Sequence, residues 1–411
     1  MFKEKVSVVD SRCGSGKTQW SIRYMNENKD KRFIFVTPYL NECKRICENC
    51  TDFYEPEDKK MSKSDNFDLL VEENKNIATT HQLLNHLTLE TIEKINNSNY
   101  ELILDEVMDV VSETTLADND RKALIELGLF VEEKGNLKIG DSEKLYQYDD
   151  TKWAYFNIVN GLKRKNLEIF ENKILMWLFP IDVFHSFKKI FILTYMFDGY
   201  PMSPYFKFNN IEYKKYMAYY NENIGNYDLK SYDKEDNSKI KELIEIIEDE
   251  KLNQIGEDKT SFTEYWWRKK TTDNHLIELR KNISNVIKNK TKCKIDDILW
   301  TVFKTYQKNV VCEKTRDSNF ISHNIRATND YAEKFVCMYF VSRNYNPIIK
   351  RWFKSKNIEV NEDMFGLSEM IQWVFRSRIR KGENIVLYVP SNRMRRLFKN
   401  WLDGNLPENK K

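Results

Sequence analysis

Six short stretches of the chain are dense in apolar and β-branched residues at neighbouring positions: Val6 to Val9, Phe33 to Val36, Ile77 to Ala78, Leu102 to Leu104, Phe191 to Leu193 and Ile385 to Val389. A strand whose sheet is covered on both faces needs apolar residues on both sides, so these stretches predict buried parallel strands. Helical patterns separate them, and the alternation predicts an α/β fold. In open parallel sheets the ligand lies beyond the carboxyl ends of the strands. The residues expected there are Gly14 to Thr18, Thr37-Pro38, Thr79-Thr80-His81, Asp105-Glu106 and Thr194, all polar or small and all placed to line one crevice.

The middle of the chain changes character. From Tyr219 to Lys292 it is polar and dense in Lys, Glu, Asp and Asn, with a helix expected over Ser238 to Lys251 and paired tryptophans at Trp266-Trp267. This predicts an inserted helical region or an elaborated connection between two α/β domains. The divisions expected are 1–205, 206–294 and 295–411.

Bulk properties narrow the class. A chain of 411 residues exceeds one average domain, and 41% apolar with 31% charged residues is the balance of a soluble globular protein. The apolar runs, such as Ile190 to Thr194, are too short to cross a bilayer, which predicts a cytoplasmic protein without a signal peptide and without a membrane partner. Seven cysteines without a regular framework fit a reducing compartment. Cys43, Cys47 and Cys50 lack a complementary Cys/His pair at zinc-site spacing, so free thiols are expected over a metal site. A net charge of +3 gives no global basic field. Local charge is concentrated late, at Arg376, Arg378, Arg380, Lys381, Arg393, Arg395 and Arg396, either as a solvated face or as a functional cluster.

Ser11-Arg12-Cys13-Gly14-Ser15-Gly16-Lys17-Thr18 follows the first predicted strand and opens an amphipathic stretch. This is the pattern of a P-loop: Gly14, Ser15 and Gly16 are small enough for backbone N–H groups to wrap phosphates, and the following helix directs its positive end at them. Lys17 is placed to reach the β- and γ-phosphates, and the Thr18 hydroxyl to bind Mg²⁺. Ser11 stands where the usual pattern begins with glycine. An acidic pair ends another strand, with Asp105 the candidate for the metal shell and Glu106 the candidate base that positions the attacking water.

Taken in order, the P-loop, Thr37-Pro38, Thr79-Thr80-His81, Asp105-Glu106-Val107-Met108, Leu193-Thr194 and the late Gln372…Arg376…Arg380 resemble the successive motifs of superfamily-two DEAD/DEAH-like helicases of the bacteriophage and mobile-element type. The resemblance covers about residues 1 to 205 and 295 to 405. It implies two RecA-like domains with parallel sheets flanked by helices, the helical insertion between them, and ATP with Mg²⁺ as cofactors. It also implies that Thr37, Thr79 and Thr80 contact a nucleic-acid backbone, that Thr194 couples hydrolysis to domain movement, and that Arg326, Thr328 and Asn329 contribute to coupling from the second domain. Gln372 would face the nucleotide, and Arg376 and Arg380 its phosphates. Phe375 replaces the glycine of the late motif and the last arginine is displaced by one place, so Arg378 stands as an alternative to Arg380. The implied activity is a nucleic-acid-dependent ATPase, a DNA helicase or translocase in replication or recombination. Its expected partners are single-stranded or forked DNA, or RNA, with other replication proteins. An ATP-gated nucleic-acid-binding module or loader without unwinding is the second reading.

Overall fold

Each apolar stretch forms a strand, the last ending at Tyr388, in the computed structural model, which describes residues 4–59, 61–140, 155–313, 315–324 and 330–408. The chain divides into two compact units. The first takes in the chain up to Asp10, Lys17–Leu229 and Asn346–Val360; the second takes in Ser11–Gly16, Lys230–Tyr345 and the chain from Asn361 onward.

The first unit begins with strands β1 (Val6–Asp10), β2 (Phe33–Thr37), β3 (Phe53–Tyr54), β4 (Asn76–Thr80) and β5 (Glu101–Asp105). Five further strands follow before the chain rejoins that sheet: β6 (Val111–Thr115), β7 (Phe130–Glu133), β8 (Asn136–Ile139), β9 (Leu167–Phe170) and β10 (Ile174–Leu178). It returns as β11 (Lys189–Thr194), β12 (Tyr213–Asn221) and β13 (Asn226–Ser231), giving the eight-stranded order β13-β12-β1-β11-β5-β2-β4-β3. The pairings from β12 across to β3 are parallel. Every residue of β1, β2 and β11 is buried, which is why their sequences do not alternate. Trp20, Phe33, Phe35, Ile103 and Phe191 form the core on one face, joined by Cys43 and Cys50. Burial pushes both of those thiols up to about 12, and all seven cysteines are free. No trio of metal-ligating side chains occurs among the described residues.

The strands β6 to β10 form a subdomain after Asp105-Glu106 that the sequence pattern did not reveal. Its sheet, ordered β6-β10-β9, is antiparallel, and Leu124, Leu129, Leu162 and Leu175 help build a separate core. Only Val111 is buried in β6, so the strand carries too little apolar signal to stand out. The helix Pro347–Ser355 comes from late in the sequence yet belongs to this first unit. Asn346 caps it by accepting from the N–H groups of Ile348 and Ile349. Arg351 makes a bidentate pair with Glu171, both contacts at 2.9 Å, and the Trp352 indole donates to Glu168 at 3.1 Å.

The second unit holds a four-stranded parallel sheet of β14 (Ile244–Ile246), β15 (Ile298–Thr301), β16 (Val336–Tyr339) and β17 (Ile385–Tyr388), ordered β14-β17-β16-β15. Two expectations need correction here. The single helix over Ser238 to Lys251 is instead a short helix, Ser238–Glu242, followed by β14 and the helix Glu250–Asn253. The helical segment continues through Glu264–Lys269 and Asp273–Asn285, but it lies between β14 and β15 and is therefore part of the second unit. The second unit thus starts well before residue 295. The cause is the pairing of Ile244, Glu245 and Ile246 with Ile385, Val386 and Leu387, which draws an apparently helical stretch into a sheet.

Candidate nucleotide site

The strand register of the first unit sets the expected residues in one row. Asp10 pairs with Thr194, Leu193 with Asp105, and Thr37 with Thr80. Neighbouring strands lie about 4.8 Å apart. The strand ends from β1 through β11, β5 and β2 to β4 therefore run along about 19 Å of carboxyl edge.

At one end, Lys17 and Thr18 begin the helix Lys17–Glu27 directly after the Gly14-Ser15-Gly16 loop. Gly14 and Gly16 have φ of 80° and 86°, a left-handed backbone that an L side chain adopts only with strain. Around Gly14 no heavy atom lies within 4 Å of where a Cβ would stand. The Ser21 hydroxyl donates to the Thr18 carbonyl at 2.8 Å, leaving the Thr18 side chain out of that bond. Within the second unit, Arg12 of the loop meets Asn237 at 3.2 Å and Glu235 at 3.6 Å.

Asp105 closes β5. Burial, the adjacent Glu106 and Glu42 push its carboxyl up to about 7, while Lys17 and a hydrogen bond from the Thr37 hydroxyl at 3.4 Å pull the other way. A carboxylate in this setting is short of positive charge, and a divalent cation would relieve it. Glu106 adopts φ of 63°, unusual for a residue with a side chain, and its backbone N–H donates to Leu193 O at 2.9 Å. Its Oε2 is buried without a hydrogen-bond partner among the described residues, as are the Thr194 Oγ1 and the Ser15 Oγ. Buried polar atoms seldom stay unpaired, so the orphans at the acidic pair and at Thr194 fit a bound polar ligand such as a nucleoside triphosphate with Mg²⁺.

Thr37 and Thr79 are buried and Thr80 is half-buried at the head of the short helix His81–Leu84. His81 Nε2 lies 3.0 Å from the Asp105 carbonyl, which can only accept, so Nε2 carries the proton. His81 therefore braces the acidic strand end by a local bond.

Two contributors escaped sequence reasoning. Asp10, only 1% exposed, accepts the backbone N–H groups of Met196 at 2.6 Å and Phe197 at 3.2 Å. Lys215 bridges Asp10 at 3.0 Å and Asp198 at 2.6 Å, and the Tyr213 hydroxyl also donates to Asp198. Glu42, on the helix after Thr37-Pro38, is the other, since it adds a third carboxylate around Asp105 and pairs with Arg45 at 3.0 Å. A carboxylate placed immediately before the loop was the available signal for Asp10.

In the second unit, Gln372 is buried on the helix Glu362–Val374, Arg376 is buried just beyond its end, and Arg380 is exposed on the following turn. Arg378 is otherwise engaged: its guanidinium stacks 4.5 Å from the Phe335 ring and its Nε donates to Asn384 O at 2.5 Å. Phe375, which replaces the family glycine, is buried with its ring 6.3 Å from Trp401. The late basic run is not one solvated face. Arg393 binds Asp363, Ser342 and two carbonyls, and Arg395 binds the carbonyls of Val389 and Pro390 and pairs with Glu257. Trp266, Trp267, Trp352 and Trp373 are all buried, so none offers a stacking surface. Arg326, Thr328 and Asn329 lie outside the described residues.

Residues 238–402 match the family model of the YonV C-terminal Rossmann-like domain, and residues 2–125 match that of the type III restriction enzyme, res subunit. Over 413 aligned residues the chain is 37% identical to the SPbeta prophage-derived protein YonV of Bacillus subtilis (strain 168), covering 98% of this chain and 99% of that protein. The chain belongs to the YonV family. Among solved structures, an XPD helicase is similar at TM-score 0.54 and 12% identity, covering 97% of this chain and 94% of that one. Xpd4 of S. tokodaii is similar at TM-score 0.50 and 11% identity, with the same coverage of each chain. At such identities the likeness is one of fold, and the fold is a pair of RecA-like α/β domains. With the match at the amino end and a prophage-derived relative, the chain is superfamily-two in type and of mobile-element kind. No helix among the described residues is long and apolar enough to cross a membrane.

Proposed function

We propose that the chain is a nucleic-acid-dependent ATPase, a DNA helicase or translocase that couples ATP hydrolysis to movement along DNA, or its remodelling, in replication or recombination of a phage or mobile element. The observation that carries this reading is the single row of strand-end residues Asp10, Thr194, Asp105, Thr37 and Thr80, with unpaired Glu106 and Thr194 oxygens along it. The helicase-type match over 2–125, the XPD-type fold and the prophage relative support it.

In this reading the backbone N–H groups of Gly14, Ser15 and Gly16 hold the phosphates of ATP, and Lys17 neutralises the β- and γ-phosphates. Thr18 and Asp105 hold Mg²⁺, which supplies charge neutralisation at the transferring phosphoryl group. Glu106 orients the attacking water. Thr37, Thr79 and Thr80 hold the strand backbone, and Thr194 relays the state of the nucleotide. Gln372 and Arg376 are assigned to the nucleotide, with the finger to be sought among Arg376, Arg378 and Arg380. Arg326, Thr328 and Asn329 belong to coupling.

Glu106→Gln tests the assignment. The variant should bind Mg²⁺-ATP and single-stranded DNA as the wild type does, while hydrolysis falls about 10²- to 10⁴-fold. Undiminished hydrolysis would remove Glu106 from the chemistry and the reading with it.

A further inference from the structure

The first unit contains a cavity of about 610 Å³ lined by residues that follow the helix His81–Leu84, by Asp109 and Val110, and by residues of the β6–β10 subdomain. Such a volume lies in the usual range for small-ligand sites, about 300–1,000 Å³. Its wall is continuous with two elements already placed in the row. His86 follows the short helix His81–Leu84 that Thr80 begins, and Asp109 follows Asp105-Glu106 after three residues. The first lining residue after Thr80, Asn85, follows it by five residues, about 7.5 Å at a helical rise of about 1.5 Å per residue.

The lining has a definite chemical character. Trp177 stands opposite Ser112 in the β6–β10 register, and both line the cavity. Gly161 lets the indole approach its backbone, since a Cβ there would come within 2.6 Å of the ring. Arg164 donates to Leu87 O at 2.8 Å; its Nε and the Asn166 Oδ1 are buried without a hydrogen-bond partner among the described residues. Arg164 and Asn166 thus set polar side chains in the lining beside an aromatic ring. The charges of Arg164 and Asp109 oppose each other, so the cavity is poorly suited to a phosphate, which Asp109 would repel. A neutral, planar ligand with both donors and acceptors on one edge matches it.

We infer that this cavity accepts one unpaired nucleobase of the bound strand, stacked on Trp177 and hydrogen-bonded by Asn166 and Arg164. The inference rests on the proposed function, because the strand held at Thr80 is what delivers the base. Stacking of a base on an aromatic ring is sequence-tolerant, so the cavity would tell strands with bases from strands without them.

The test uses the full chain and fluorescent single-stranded oligonucleotides at fixed salt: one with normal bases and one of equal length made of abasic residues, which has the same charge. Wild type should bind the base-containing strand at least about tenfold more tightly, in line with the worth of one stacked base. Asn166→Ala and Trp177→Ala should each shrink that ratio without altering ATPase activity in the absence of DNA. Retained basal ATPase shows that the variants are folded. Equal affinity of wild type for the two strands, or a ratio untouched in both variants, would overturn the pocket while leaving the ATPase reading intact. Absence of binding to either strand would instead overturn the proposed function itself.

Discussion

Asp10 holds Met196: its carboxylate accepts the Met196 N–H at 2.6 Å, and Met196 sits in the left-handed region at φ of 57°. The last residue before the phosphate loop thereby fixes the turn that begins just after Thr194. On the proposed function, a loop held in a strained backbone conformation by one buried carboxylate is where a change at the nucleotide would reach Thr194.

Replacing Asp10 with Ala strands the Lys215 ammonium beside Asp198 alone and leaves two backbone N–H groups unpaired. Breaking a buried pair from one side costs about 3–5 kcal/mol, and a loss of that order is expected in urea unfolding. Lys215→Met should also destabilise, and the double substitution should cost less than the two singles together. Strict additivity would mean that the pair is not coupled.

How much of this could be read from the chain follows from the range of the forces involved. The strand ends were legible because burial on both faces writes itself into consecutive residues, as in Phe33–Thr37 and Lys189–Thr194. Asp10 was not, because its partners are backbone groups 186 and 187 residues away. The stretch from Ile240 to Ile247 carries apolar residues at spacings that suit a helix, and only its pairing with β17 makes Ile244–Ile246 a strand. The clustered arginines are alike in sequence but differ in burial and surroundings, so Arg393 and Arg395 clamp carbonyls and carboxylates in partly buried settings while Arg380 lies on the surface.

Arg380 and Arg378 are rival candidates for the finger, and their variants tell them apart. Arg380→Ala should lower kcat by about 10³-fold, the lower end of what an arginine finger supplies, with little change in thermal midpoint. Arg378→Ala should chiefly lower stability through loss of its stacking on Phe335, by about 1 kcal/mol. The reverse pattern in steady-state kinetics and thermal melts would exchange their roles.

His323 makes the second unit sensitive to acid. Burial, with Arg343 nearby, holds it down to about 3, and neither ring nitrogen has a hydrogen-bond partner among the described residues. Between its ordinary value of 6.5 and about 3 the unfolded chain binds a proton that the native state refuses. Stability therefore falls as pH drops through that window, by up to about 1.4 kcal/mol per pH unit from this residue, and is unaffected above it. His323→Leu should flatten that slope in urea titrations between pH 6.5 and 4. An unchanged slope would show that His323 is protonated in the native state.

The central claim is that the row of strand ends makes an ATPase that nucleic acid switches on. The direct measurement is ATP hydrolysis titrated with single-stranded DNA, duplex DNA and RNA at one fixed salt concentration, since phosphate-backbone binding is salt-dependent. Single-stranded DNA should raise the rate several-fold and saturably, and Lys17→Ala should abolish hydrolysis with and without it. A rate indifferent to every nucleic acid, or one that survives Lys17→Ala, would contradict the account.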